Sequence, residues 1–146
     1  MAELTKILRR AVLDTNVLVR LMLGHSSNAE SLRRAWYDGR FILILSQKII
    51  AEFERVCHYP RIVKSYGVTD ERLLNFLAAA ETLAVITEDL YQVDRLQIDV
   101  TDNVFLACAL EGDADFIVSE DAHLRNLKYY QGIQIIGIEQ FKQLVE

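Results

Sequence analysis

The chain has 146 residues, 51% of them hydrophobic and 25% charged, with one proline and a formal net charge of −5 at pH 7. That length suits one domain with a sizeable core, so a single domain over residues 1–146 is expected. The acidic balance gives no support to nucleic-acid binding through bulk charge, although a basic patch or metal ions would offset acids gathered in a cleft.

The first expected element is a strand over Arg9–Leu13, whose end "AVL" does not alternate and reads as buried on both faces. A helix follows to about Gly24, capped by Thr15 or Asn16. The polar run His25-Ser26-Ser27-Asn28 breaks it, and Ala29, Leu32, Ala35 and Trp36 make a helical stripe ending at Asp38-Gly39. "FILIL", residues 41–45, reads as a second buried strand, with Ser46 capping the next helix. Ile49, Ile50, Phe53, Val56 and Cys57 stripe that helix, which should stop before Pro60. Thr69 or Asp70 starts another, with Leu73, Leu74, Phe76, Leu77 and Ala80 inward. Leu83–Ile86 is expected as a third strand, and Thr87 to Asp99 as a polar stretch. Thr101-Asp102 opens a helix through Phe105, Leu106 and Ala109. Phe116–Val118 is a fourth strand, Ser119-Glu120-Asp121 opens a helical turn, Ile133–Ile136 is a fifth strand, and Ile138–Val145 a last helix. Alternating strands and helices predict an α/β fold: a three-layer α/β/α sandwich with a central, mostly parallel sheet of four to five strands.

Cys57 and Cys108 sit within apolar helical patterns and read as reduced core residues of a cytoplasmic protein. No apolar run approaches the roughly 18 residues of a membrane span. MAELTKILRR has neither a long apolar core nor a small-residue cleavage site, so neither a membrane nor a secretory role is expected.

Open parallel sheets bind ligands outside the carboxyl ends of their strands. Asp14 ends the first strand there and Ser46 the second. Glu52 lies on the flank of the following apolar stripe, from which it reaches the sheet edge, while Arg55 points nearly opposite and should be solvated. Asp102 opens a later helix, and Ser119 and Asp121 follow the fourth strand. Taken singly, Asp102 and Asp121 read as helix caps, Glu52 as a solvated acid and Ser46 as a cap. Four acids from four segments meeting at one edge is what the capping reading does not predict. Carboxylates so placed repel each other, and a hard divalent cation with oxygen ligands, Mg²⁺ or Mn²⁺, relieves the conflict. No Cys or His accompanies them in a zinc-ligand spacing. On this reading Asp14 is a metal ligand, and Asn16 a neutral donor that orients it or touches a phosphate oxygen. His25, His58 and His123 read as solvated, and Trp36 as core. Arg33-Arg34, Arg40, Lys48, Arg55, Arg61 and Lys64 are the densest basic region and read as a mainly solvated face, part of which is available to a nucleic-acid backbone.

"LDTNVLV", "LSQKIIAEFERVCHYPRI", "DVTDNVFLACALEGDADFIVSEDAHL" and "IQIIGIEQF", in this order and spacing, resemble the PIN domain from about Lys6 to the C-terminus. The branch resembled is the bacterial and archaeal toxins of toxin–antitoxin systems related to VapC. The resemblance implies a metal-dependent ribonuclease of α/β/α fold. Its acids fall on Asp14, Glu52, Asp102 and Asp121, its metal on the same four, and its neighbouring polar positions on Asn16, Ser46 and Ser119. It implies Mg²⁺ or Mn²⁺ as cofactor, RNA as substrate, products with a 5′-phosphate and a 3′-hydroxyl, an antitoxin partner, and a homodimer or higher homo-oligomer. Glu120 departs from the branch, where a small or polar residue usually stands between Ser119 and Asp121. Asp99 competes with Asp102 for the third acid, and His25–Asn28 is shorter than the corresponding segment of the branch.

Other readings stand beside this one. An aspartyl-nucleophile phosphatase would carry a second Asp where Asn16 stands. A receiver-type domain would need a lysine after a late strand, where Gly137 follows Ile136. A PIN fold that binds RNA or protein without cutting remains the alternative.

Overall fold

The computed structural model describes residues 8–93 and 100–146. A six-stranded sheet of order β3-β2-β1-β4-β6-β5 forms the centre. Its strands are β1 (Arg9–Leu13), β2 (Phe41–Ser46), β3 (Val85–Thr87), β4 (Phe116–Val118), β5 (Tyr129–Tyr130) and β6 (Ile133–Ile136). The pairs β1–β2, β1–β4, β2–β3 and β4–β6 are parallel, and β5 pairs antiparallel with β6. The expected α/β sandwich is therefore present, with one strand more than expected. A two-residue strand leaves no readable periodicity. Its turn, Gln131-Gly132, has positive φ at both residues (49° and 86°), the geometry of a tight hairpin.

The helices are α1 (Thr15–Leu23), α2 (Ser27–Tyr37), α3 (Gln47–Cys57), α4 (Pro60–Tyr66), α5 (Asp70–Leu83), α6 (Val100–Glu111), α7 (Ala122–Leu127) and α8 (Ile138–Val145). Chain order moves from β1 to β2 to β3 on one side of β1, then to β4 and β6 on the other. Right-handed crossovers consequently put α1–α5 on one face and α6 on the opposite one. α6 packs against β1, β2 and β4, while α2 packs on α1 and α8.

Several boundaries differ from expectation. Asp14, rather than Thr15 or Asn16, caps α1, its carboxylate accepting from the Val17 N–H at 3.0 Å. Ser26 caps α2, drawing Ser27 and Asn28 into the helix. The chain does leave α3 before Pro60, yet Pro60 then takes the first position of α4, where its missing N–H costs nothing. α5 runs through Leu83, so β3 starts at Val85 instead of Leu83. Leu74 is 65% exposed rather than inward, because the buried stripe of α5 follows Leu73, Phe76 and Ala80.

β2 is buried on both faces, as "FILIL" implied. Trp36, Phe53 and Phe76 join α2, α3 and α5, with Phe76 5.5 Å from Trp36 and 5.2 Å from Phe53 between ring centres. Phe141 of α8 meets Phe41 edge-on at 5.0 Å. Cys57 and Cys108 are free and buried, as expected. Burial pushes the Cys108 thiol up to about 12, against the pull of the neighbouring Thr87 and Ser46 hydroxyls. Among the described residues no helix is long and apolar enough to cross a membrane.

Candidate active site

The parallel pairings line up the carboxyl ends of β1, β2, β3, β4 and β6 along one edge. Strand order reverses at β1, so the crevice between β1 and β4 is the switch point at which such sheets bind ligands. Asp14 and Ser119, the first residues past these two strands, stand on either side of it. Their backbones extend the sheet: the Asp14 N–H donates to the Val118 carbonyl at 3.1 Å and the Ser119 N–H to the Ile136 carbonyl at 2.9 Å.

Asp14 is buried, with 6% exposure, and Ser119 fully so. The Ser119 hydroxyl donates to Asp14 Oδ2 and accepts from the Asp121 N–H at 2.9 Å. Asp121 is exposed and caps α7, accepting from the Leu124 N–H at 3.1 Å. One hydroxyl thus ties two of the expected acids into a unit. Burial raises the Asp14 carboxyl above the ordinary range. The Ser119 and Val17 hydrogen bonds oppose that rise, and the charges of Asp121 and Glu120 add to it. Among the described residues no cationic side chain pairs with Asp14.

The other expected residues are placed less tightly. Asn16 is exposed in the first turn of α1. Ser46 is buried and caps α3, its Oγ accepting from the Ile49 N–H at 3.1 Å. Glu52 is half-buried, and its carboxylate is ion-paired with Arg55. Arg55 is exposed as expected, but it reaches back one helical turn instead of standing free in solvent. Asp102 is half-buried in the first turn of α6, the helix that packs against both β1 and α3. Asp99 lies outside the described residues. Glu120 is engaged by α8 and α7: its Oε2 accepts from the Ile138 N–H at 2.8 Å and lies 3.7 Å from the Arg125 guanidinium. A Cβ on Gly137 would come within 2.7 Å of both of those side-chain ends, so glycine there makes room for them.

The donor chemistry suits a hard divalent cation, since every candidate ligand is oxygen. The assembled geometry is narrower than the four-acid expectation. Among the described residues, no group of three or more His, Cys, Asp or Glu side chains lies close enough to hold a metal ion. Asp14 and Asp121 are gathered around Ser119, whereas Glu52 is held by Arg55.

One organising residue escaped the sequence reading. Glu111, near the end of α6, accepts from the N–H groups of Glu88, Leu90 and Tyr91 at 3.0, 2.8 and 3.2 Å, bracing the loop after β3. In sequence it is a terminal helix acid with no local signal, because its partners lie some twenty residues away.

The PIN domain family model matches residues 10–123. No curated protein sequence matches the chain. Among solved structures, VapBC2 from Rickettsia felis, bound to a DNA fragment from their promoter, is similar at 12% identity. That match covers 88% of this chain and 98% of that one, with a TM-score of 0.56. PAE2754 from Pyrobaculum aerophilum is similar at 15% identity over 94% and 89% of the two chains, with a TM-score of 0.59. The PIN domain of human SMG5 is similar at 15% identity over 94% and 99%, with a TM-score of 0.51. At these identities the likeness is one of fold. With a family model spanning most of its length and a sheet order that builds the crevice at Asp14, the chain belongs to the PIN-domain family.

Proposed function

We propose that this chain is a metal-dependent endoribonuclease that hydrolyses RNA phosphodiester bonds with water. The observation that carries the reading is Asp14, a buried carboxylate with no cationic partner among the described residues, hydrogen-bonded by Ser119 at the topological switch point. A buried carboxylate with no cation beside it is costly, and either a proton or a positive ion relieves that cost. Asp14 and Asp121 are the proposed inner ligands of Mg²⁺ or Mn²⁺, with Asp102 and Glu52 completing the set from α6 and α3. When bound, such an ion makes a hydroxide available near neutral pH and offsets phosphate charge. The chain's own residues do the positioning. Ser119 holds Asp14 and the backbone of Asp121 in register, the Val17 N–H fixes the other Asp14 oxygen, the buried Ser46 fixes the start of α3 by capping it, and the exposed Asn16 is a donor for substrate oxygens. Glu52 serves only after it releases Arg55. An antitoxin partner, a homodimer or higher homo-oligomer and a cytoplasmic setting belong to the same proposal, by likeness to the VapC branch.

The engagement of Glu52 by Arg55 favours a second reading: a PIN fold that binds RNA or protein without cutting. The two separate in one assay. Purified protein is mixed with a panel of labelled RNAs in Mn²⁺, Mg²⁺ or EDTA. Cutting that needs the metal and leaves 5′-phosphate and 3′-hydroxyl ends supports the nuclease. RNA retained but intact supports the binding module.

A further inference from the structure

Away from the crevice, a pocket of about 250 Å³ opens where the α1–α2 turn meets α5. Its floor is apolar, with Met22, Leu23 and Phe76 buried. Its polar wall carries two cations, Arg33 of α2 and Arg72 of α5, beside His25 of the turn. No acidic side chain is among the described residues that line it. In a chain of net charge −5 this is an unusual concentration.

Of the eight other described arginines, four are ion-paired. Arg34, Arg40, Arg55 and Arg125 each pair with a carboxylate, to Glu30, Asp38, Glu52 and Glu120. Arg33 and Arg72 form no ion pair among the described residues. The Arg33 guanidinium lies over the Tyr37 ring, 5.6 Å from its centre, and is half-buried. It also lies against the backbone at Gly24, where a Cβ would come within 3.3 Å of Nη1. Gly24 has φ +62° as the cap of α1, so this position suits glycine both for the turn and for the guanidinium beside it. Arg72 is exposed, and its Nη1 lies 3.3 Å from His25 Nε2. Two guanidiniums without an acidic partner thus line one concave site, and each is a planar fork of donors, the chemistry that recognises phosphate.

We infer that the pocket between α1, α2 and α5 is a phosphate-binding site in which Arg33 and Arg72 are the ligating residues. The phosphate is either that of a nucleic-acid strand or free inorganic phosphate. The inference stands apart from the nuclease proposal, since it uses none of the residues at the crevice.

The test follows the side-chain Nε–Hε resonances of arginine by NMR. Inorganic phosphate and a short RNA oligonucleotide are titrated separately into the wild type, Arg33→Gln, Arg72→Gln and Arg72→Lys. Saturable shifts of Arg33 and Arg72 with phosphate are expected, with binding weakened about tenfold in each glutamine variant, the worth of one charge-assisted hydrogen bond. Arg72→Lys keeps the charge but loses the fork, and should weaken binding nearly as much. RNA that moves the same two resonances at lower concentration identifies a strand as the source. Phosphate binding without an RNA response identifies the free anion. Absence of saturable shifts in either titration overturns the inference, as does unchanged affinity in glutamine variants whose amide spectra show an intact fold.

Discussion

Asp14 does two jobs whose electrostatic demands conflict. As cap of α1 it is best ionised, yet its burial favours the protonated acid, and burial dominates the shift. Because the folded state raises its pKa, the stabilisation Asp14 lends is complete below the ordinary carboxylate range and is lost as pH rises through the raised value. Asp14→Asn keeps a good cap without the buried charge. Thermal unfolding should therefore find the variant close to wild type at about pH 4 and increasingly the more stable of the two as pH approaches about 7. A constant gap across that range would contradict the account of the site. Ser119→Ala strips the hydroxyl that joins Asp14 to Asp121, and should cost about 1–3 kcal/mol in chemical denaturation. At this scale the sequence was informative wherever a polar residue closed a buried strand. Asp14, Ser46 and Ser119 all sit where that logic put them, and Asp121 caps the next helix. It was uninformative about Glu52 and Arg55. Their i, i+3 spacing permits a pair, but rotamers and exposure decide whether one forms.

The strand-to-helix turns set the site, and other elements hold them still. Arg10 of β1 grips the Gly112 carbonyl through Nε at 3.0 Å and Nη2 at 2.6 Å, tying the end of α6 to the sheet. Gly112 sits so close to β2 that a Cβ would run into Ile44 Cγ2 and lie 3.2 Å from the Cys108 carbonyl. Gly112→Ala should cost about 1–3 kcal/mol, the range for overpacking, read as a lowered unfolding midpoint. α3 and α5 were legible from their apolar stripes, which the packed faces require. α4 was not, because Pro60 both stops α3 and starts α4, and a proline in sequence signals either. β5 was missed because its register comes from a tight turn and from pairing with β6, not from its own two residues.

Across the whole molecule, the dense basic run is only partly neutralised by acids beside it. Arg34, Arg40 and Arg55 each face an acid close by in sequence. Such exposed pairs are worth only about 0–1 kcal/mol each. Among the basic residues that pair with no acid, Arg33 and Arg72 come from distant segments and line one pocket only in the fold, so composition could not reveal them. The acidic balance has a consequence for metal. If Mn²⁺ joins the crevice, it binds the folded state alone. At about one hundred times its dissociation constant it should stabilise the wild type by about 2.7 kcal/mol, and EDTA should reverse the effect. Asp14→Asn should lose most of that gain, and calorimetric unfolding measures it directly. The most direct test of the central claim is RNA cleavage by wild type and Asp14→Asn, side by side in Mn²⁺. The account predicts that the variant stays folded and cuts slower by roughly two to three orders of magnitude, the loss typical of removing one charge-stabilising group. Equal cutting by both proteins would contradict it, because the carboxylate on which the site is built would then take no part in the reaction.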